Sequence, residues 1–273
     1  MLRRAAGLLR RFTENKETID FGFKTVAKDT KQTLVNQVFA SVAGNYDVMN
    51  DLMSLGVHRL WKNQFISDLG LLYCGSQVKF LDVAGGTGDI AFRLVEKMKA
   101  ETEGLESPGE AAHVTVLDIN AAMLAVGKQR AQQSGYANMT WVEGNAEVLP
   151  FPDSSFDVYT IAFGIRNVPD RLKALKEANR VLKSGGRFMC LEFSKVTNPL
   201  LSAIYDLHSF HVIPEIGHIV ANDRASYQYL VESIKRFPTQ EEFADLVRQA
   251  GFESVHHKDL TMGIAAIHSG VKL

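Results

Sequence analysis

The chain predicts an α/β fold built on one doubly wound sheet. Three observations predict it. Short apolar runs alternate with amphipathic helical stretches six times, which is the pattern of strand–helix–strand crossovers. The run VKFLDV, residues 78–83, breaks at glycines and resumes as DIAFRLVEKM, so strand, turn and helix follow one another directly. At 273 residues and 46% hydrophobic content, the chain can bury one sizeable core.

The opening MLRRAAGLLRRFT has four arginines and no acid, and Leu2, Leu8, Leu9 and Phe12 share a helical face with the arginines beside it. That is the composition of a mitochondrial transit peptide, or of a disordered basic arm. Residues 1–20 are assigned to this leader and 21–273 to a single domain. Residues 36–72 are rich in helix formers, with Val38, Phe39, Val42 and Tyr46 on one face. Their second half, YDVMNDLMSLGVHRLWK, precedes the first strand and is expected as helical cover over the strand ends. His58 and Trp61 within it read equally as site lining or as ordinary packing.

After the glycine turn, Ile90, Ala91, Leu94, Val95 and Met98 keep helical spacing. Residues 101–112 are polar with Gly and Pro, a surface insertion. The second strand, 114–117, ends at Asp118, and Asn120 is placed to cap the next helix. A third strand, 139–142, runs into Glu143-Gly144-Asn145-Ala146-Glu147. The fourth, 156–163, runs into Gly164-Ile165-Arg166-Asn167 at the sheet's carboxyl edge, where open α/β sheets bind ligands. The stripe Leu172, Leu175, Ala178, Val181 and Leu182 marks a helix that Gly185-Gly186 is expected to cap. A fifth strand spans 187–193. Thr239 and Glu242 spell a capping box for a helix closed by Gly251, and 255–257 and 263–268 supply the last two strands. Residues 198–236 interrupt this alternation. Their aromatics and branched aliphatics exceed what a surface connection needs, so they are expected as a lid over an apolar substrate or as packing against the sheet.

Net charge is −1, so no global field favours nucleic acid. Cys74 and Cys190 lack metal-ligand spacing and cannot make a disulfide framework. No apolar run reaches the length of a membrane-spanning helix.

The glycine turn narrows the chemistry. A dinucleotide site prefers G-x-G-x-x-G, and that spacing is absent. Asp82, Ala84, Gly86 and Gly88 instead fit the D-x-(G/A)-x-G-x-G loop of S-adenosylmethionine (SAM) methyltransferases, with Ala84 where most of that class has its first glycine. Asp118, ending the next strand, can accept both ribose hydroxyls. Methyltransferases of that class meet the adenine with an Asn or Asp at the end of this strand, where Asn145 stands, although alone it would more often be a turn residue.

The segments LDVAGGTGDIAFR, DIN at Asp118, GNAEVLPFPD, TIAFGIRNV, EANRVLKSGGRF with CLEFS, SYQYLVES with RFP, and YDVMNDLMSLGVHRLWK together resemble the ubiquinone/menaquinone-biosynthesis C-methyltransferase family, in order over residues 36–273. The basic leader suits the mitochondrial, ubiquinone branch. The resemblance implies a class I SAM-dependent methyltransferase fold, Rossmann-like, seven strands with the last antiparallel. It implies SAM as methyl donor, no metal, and methylation of a ring carbon of a polyprenyl methoxy-benzoquinol. Carried over by position, Gly86 and Thr87 in the loop, Asp118, and Asn145 with Ala146 contact SAM. Family members often have Ser where this chain has Ala162, so no side-chain hydroxyl is offered there.

Carbon is a poor nucleophile until a ring hydroxyl loses its proton, so a base or a cation that stabilises phenolate is expected. Arg166 is the first candidate for that role and Asn167 for orienting the ring hydroxyl; a structural ion pair is the alternative for Arg166. His58, His211 and Glu192 are secondary candidates for base. A long isoprenoid tail stays in lipid, so a peripheral protein on the matrix face of the mitochondrial inner membrane is expected. Phe210, Val212, Ile213, Pro214, Ile216, Ile219 and Val220 are expected to supply its apolar surface. The expected partners are the quinol, the membrane surface, other ubiquinone-biosynthesis proteins in a complex, and a second copy of the chain; nucleic acid is not among them. The rival readings are an N- or O-methyltransferase of another small metabolite, an RNA methyltransferase, and a non-catalytic scaffold that binds SAM or quinone. Phe163-Gly164-Ile165-Arg166 stands where amino-group enzymes carry an (N/D)-P-P-(Y/F) turn, which disfavours the N-methyltransferase form of the first. The lack of a basic stripe beyond the leader disfavours the second.

Overall fold

Alternation along each strand feeds two separate cores. In the computed structural model the described residues are 18–27, 30–31, 33–35, 51, 54, 56–70, 77–103 and 112–273. The leader up to residue 17, the face Val38–Tyr46, Cys74 and residues 104–111 of the polar insertion lie outside them. The central strand, β3 (Val78–Val83), sends Leu81 and Val83 to one face and Val78 and Phe80 to the other, all buried. The first helix described, α1 (Val57–Ser67), covers the Phe80 face with Trp61, Phe65 and Ile66, together with Ile90, Leu94 and Met98 of α2 (Asp89–Glu101).

The chain continues as β4 (Ala112–Asp118), α3 (Ala121–Gln133), β5 (Met139–Glu143), β6 (Phe156–Ala162), α4 (Arg171–Val181) and β7 (Leu182–Phe193). Helices α5 (Pro199–His211), α6 (Ile213–Ala221), α7 (Arg224–Arg236) and α8 (Gln240–Gln249) precede β8 (Glu253–Leu260) and β9 (Ala265–Val271). Strands β3–β9 form one sheet in the order β5-β4-β3-β6-β7-β9-β8, with β9 antiparallel to both its neighbours. The order reverses between β4 and β6 on either side of β3, so the crevice at the carboxyl ends of β3 and β6 is the switch point. α4 and α8 cover the Leu81 face through Ala174, Leu175, Phe243 and Val247.

Local caps place these helices. The Asn120 side chain accepts from the amides of Ala122 and Met123, and Thr239 and Glu242 form the full capping box. α4 departs from expectation. It ends at Val181, Leu182 is already extended and fully buried, and Gly185 and Gly186 fall inside β7. Burial of Leu182 against the sheet outweighs a glycine cap, and Lys272 Nζ donates to the Leu182 carbonyl at 2.6 Å in its place.

The insertion, 198–236, is three helices with a small core of Ile213, Tyr227 and Val231. An N-terminal hairpin, β1 (Thr18–Phe21) and β2 (Lys24–Ala27), clamps α7. Phe21 stacks on Tyr229 at 4.1 Å, the Phe23 amide donates to Glu232 at 2.8 Å, and Asp20 pairs with Arg236. The expected leader boundary at residue 20 falls inside this hairpin, which is already paired at Thr18.

One glycine fixes how closely α3 approaches the loop after β3. A Cβ on Gly127 would lie 2.6 Å from Trp141 Cη2 and 2.9 Å from the Thr87 carbonyl oxygen. Gly127→Ala should therefore destabilise the protein by about 1–3 kcal/mol through overpacking, rather than gain the roughly 1 kcal/mol of an exposed helical Gly→Ala change. Urea unfolding measures the sign.

Candidate active site

The loop after β3 is held open by hydrogen bonds to the neighbouring strand. The Gly85 amide donates to the Leu117 carbonyl at 3.2 Å and the Gly86 amide to Asp118 Oδ2 at 2.9 Å. The second oxygen of Asp118 accepts from the Asn120 amide at 2.8 Å. Burial raises the Asp118 carboxyl and these amides pull it back down. Gly86 sits at φ 54°, and a Cβ there would come within 3.2 Å of Met123 Cε. Ala84 also takes a left-handed φ, 53°. Its methyl is tolerated because Gly164 lies opposite, where a Cβ would approach it to 2.5 Å.

A cavity opens above this loop at the switch point. Its wall includes Gly86, Thr87, Asp118, Asn145 and Ala146, all assigned from sequence, and Asn167. Asn145 also serves the turn: its Oδ1 accepts from the Glu147 amide at 2.8 Å. Phe163, at φ 54°, and Gly164 close the side toward β6.

Arg166 does not lie on the cavity wall. It is buried, and its Nη1 donates to Glu192 Oε1 at 2.9 Å and to the Phe163 carbonyl, while its amide donates to Glu192 Oε2 at 3.2 Å. The short 3-10 turn Ile165–Asn167 explains this: it points Asn167 at the cavity and turns Arg166 inward onto β7. Glu192 is thus consumed by the pair. His58 is held by Asp51 at 2.8 Å and His211 is exposed on α5; neither lines the cavity. Trp61 packs, donating to Thr261 Oγ1 at 2.8 Å with its ring near Phe163 and Phe193.

Among the described residues, one side chain of the insertion hydrogen-bonds to the cavity wall. Tyr229 of α7 donates to Asn167 Oδ1 at 3.0 Å. Burial lifts its phenol to about 12, while Arg166 and Arg171 pull it down. Tyr205 of α5 is likewise raised by burial and lowered by its Ser209 contact and by Arg166. Tyr229, beside Asn167, is therefore a buried phenol that feels two guanidiniums. Sequence reasoning missed Tyr229, and also Lys62, which reaches the cavity wall from α1 and pairs with Asp89 at 2.6 Å. No local pattern signals either contact.

The apolar surface of the insertion also differs from expectation. Ile213 is 7% exposed, Pro214 is buried, and Phe210 and Ile216 pack against the insertion's own core. Val212 and Ile219 are exposed, joined by Leu200, Ile204 and Leu207, which lie along one face of α5. The Val220 side chain lies outside the described residues.

A family model described as the ubiE/COQ5 methyltransferase family matches residues 24–272. A ubiquinone/menaquinone biosynthesis C-methyltransferase UbiE of Bartonella tribocorum is 57% identical over 254 residues, 93% of this chain and 94% of its own. A human protein named 2-methoxy-6-polyprenyl-1,4-benzoquinol methylase, mitochondrial, is 53% identical over 277 residues, 93% of this chain and 84% of its own. Among solved structures, SAM-dependent methyltransferases of Thermotoga maritima and Aquifex aeolicus superpose with TM-scores of 0.56 and 0.55. They are 20% and 17% identical, cover 86% and 83% of this chain and 100% and 98% of their own, and share the fold alone.

Asp82 lies beneath the loop. Its Oδ1 accepts from Thr160 Oγ1 at 2.8 Å, its Oδ2 makes no hydrogen bond among the described residues, and burial raises its pKa from 3.8 to about 7, with Asp89 and Asp118 adding to the rise. The folded state therefore holds this proton more tightly than the unfolded chain. The resulting stability is whole below the unfolded pKa and is lost as pH rises through about 7. In thermal unfolding, the melting temperature of Asp82→Asn relative to the unaltered protein should rise between about pH 5 and about pH 8. A difference independent of pH contradicts the shift.

Proposed function

The chain belongs to the ubiE/COQ5 methyltransferase family, and we propose that it transfers a methyl group from SAM to a ring carbon of 2-methoxy-6-polyprenyl-1,4-benzoquinol in ubiquinone biosynthesis. The observation that carries this reading is identity above one half to proteins of that name over 93% of the chain.

The residues fit the donor. The two carboxylate oxygens of Asp118, on the cavity wall, suit a ribose's hydroxyls, and the loop lacks the glycine spacing of a dinucleotide site. SAM, when bound, supplies an activated sulfonium methyl. Asn145 and Ala146 would hold its adenine, and Gly86 and Thr87 would line the loop side of the bound donor. Phe163 and Gly164 wall the cavity toward β6, and Asn167 marks the passage to the ring. Alignment of the ring carbon with the methyl, in a site closed to water, is worth about 7–11 kcal/mol.

Arg166 acts through its field in this reading. Tyr229 is a buried phenol whose ionised form it already favours, Tyr205 feels the same pull, and a quinol hydroxyl beyond Asn167 would meet the same field. Glu192 fixes the guanidinium. Arg166→Ala leaves a buried carboxylate unpaired, at a cost of about 3–5 kcal/mol. The informative variant is Arg166→Met combined with Glu192→Gln. It should fold near normally yet lose turnover of labelled methyl into demethyl-quinol, with SAM affinity retained. Normal turnover in that double variant would leave the pair with a structural role only.

The reading extends to place. Among the described residues no helix is long and apolar enough to cross a membrane. We propose a peripheral protein on the matrix face of the mitochondrial inner membrane, with Leu200, Ile204, Leu207 and Ile219 toward lipid. Other ubiquinone-biosynthesis proteins and a second copy of the chain remain the expected partners. Leu207→Glu and Ile219→Glu, both at exposed positions, should cut activity on a long-tailed quinol and spare a short-tailed analogue and SAM binding. Equal losses on both substrates would place the tail elsewhere.

A further inference from the structure

α1 belongs to the N-terminal cover, yet it brings a buried ammonium to the cofactor cavity. Lys62 is 6% exposed and lies on the cavity wall. Its Nζ donates to Asp89 Oδ2 at 2.6 Å, and the other oxygen of Asp89 accepts from Arg93 Nε at 2.9 Å. Asp89 follows the last glycine of the loop and opens α2, so the pair ties the cover directly to the loop.

Among the described residues on that wall, the acidic and basic side chains are Asp82, Asp89, Asp118 and Lys62. Three carboxyls face one ammonium. The donor, on the reading above, ends in an amino acid with a carboxylate and an ammonium of its own. A carboxylate entering this cavity meets repulsion from Asp82, Asp89 and Asp118, and Lys62 is the cation that offsets it. A lysine has three N–H donors and Asp89 takes one of them. We propose that Lys62 binds the carboxylate of the donor's methionine portion, with Asp89 aiming it. This rests on SAM being the donor.

A purely architectural Lys62–Asp89 bridge would affect every adenosyl ligand alike. A carboxylate contact would not. The test is calorimetric binding of SAM and of decarboxylated SAM, which keeps the sulfonium and the ammonium, to the unaltered protein and to Lys62→Met, Lys62→Gln and Lys62→Arg. The unaltered protein should prefer SAM. The Met and Gln variants should lose about tenfold to a hundredfold in SAM affinity, the range of a hydrogen bond to a charged group. They should bind decarboxylated SAM as before, and Arg should recover part of the loss. Equal losses on both ligands, or no loss on SAM, overturn the assignment. So does an unaltered protein that binds both equally, which needs no variant to fold. An unaltered protein that binds decarboxylated SAM and SAM not at all also overturns it. One that binds neither overturns the donor reading itself.

Discussion

The hydrogen bond from the Gly86 amide to Asp118 is the constraint on which the site depends. It joins the loop after β3 to the end of β4, so the glycine turn cannot move without the carboxylate that faces the cavity. Everything around it is set by close approach. Trp141 fills the space that a Cβ on Gly88 or Gly127 would take, and Met123 the space above Gly86. Asn120, which caps α3, also lends its amide to Asp118, so the same few residues start a helix and shape a site. Two non-glycine residues in left-handed conformation, Ala84 and Phe163, stand at the carboxyl ends of adjacent strands. Such strain persists where the surroundings over-determine it. Here the fit of Ala84 against Gly164 does so.

A second arrangement is built on the first across Asn167. The buried pair Arg166–Glu192 pins the 3-10 turn to β7, and that leaves Asn167 facing both the cavity and Tyr229. Tyr229 is in turn stacked under the N-terminal hairpin, which pairs with α7 through Glu232 and Arg236. A cover made from the N-terminal hairpin and the insertion thus converges on one asparagine at the cavity's edge. A buried ion pair is weak evidence for stability, because desolvation offsets the attraction. Its evident effect here is to fix the 3-10 turn and, with it, the direction in which Asn167 faces.

The sequence made legible whatever acts through near neighbours. The strand–glycine–helix unit, the Asn120 cap, the Thr239–Glu242 box and Asp118 at a strand end each declare themselves within a few residues, and each is found in place. Gly185-Gly186 misled, because a local glycine signal competed with burial of Leu182 in the sheet and lost. Pairs separated by long stretches of chain were not legible. Arg166 finds Glu192 on the next strand, Lys62 finds Asp89 across the start of a helix, and Tyr229 finds Asn167 across the whole insertion. Amino-acid type alone says that such a group needs a partner and gives no means of naming it.

The same limit applies to the insertion, with a different outcome. Its apolar content announced more than a surface connection, but not which side chains would turn outward. Folding into three helices divides them. Ile213, Tyr227 and Val231 form a core, whereas Leu200, Ile204 and Leu207 recur at helical spacing on the open side of α5. That division follows from geometry. Helices that pack on one another away from the main cores can bury one stripe against each other, and the remaining apolar residues are left on the opposite face. A soluble surface gains nothing from such a face, since exposed apolar patches carry a cost in solvent. A bilayer or a protein that presents an isoprenoid tail relieves that cost. The loop side of the cavity therefore depends on rigid close approach, and the insertion is a helical cap whose outer face is apolar.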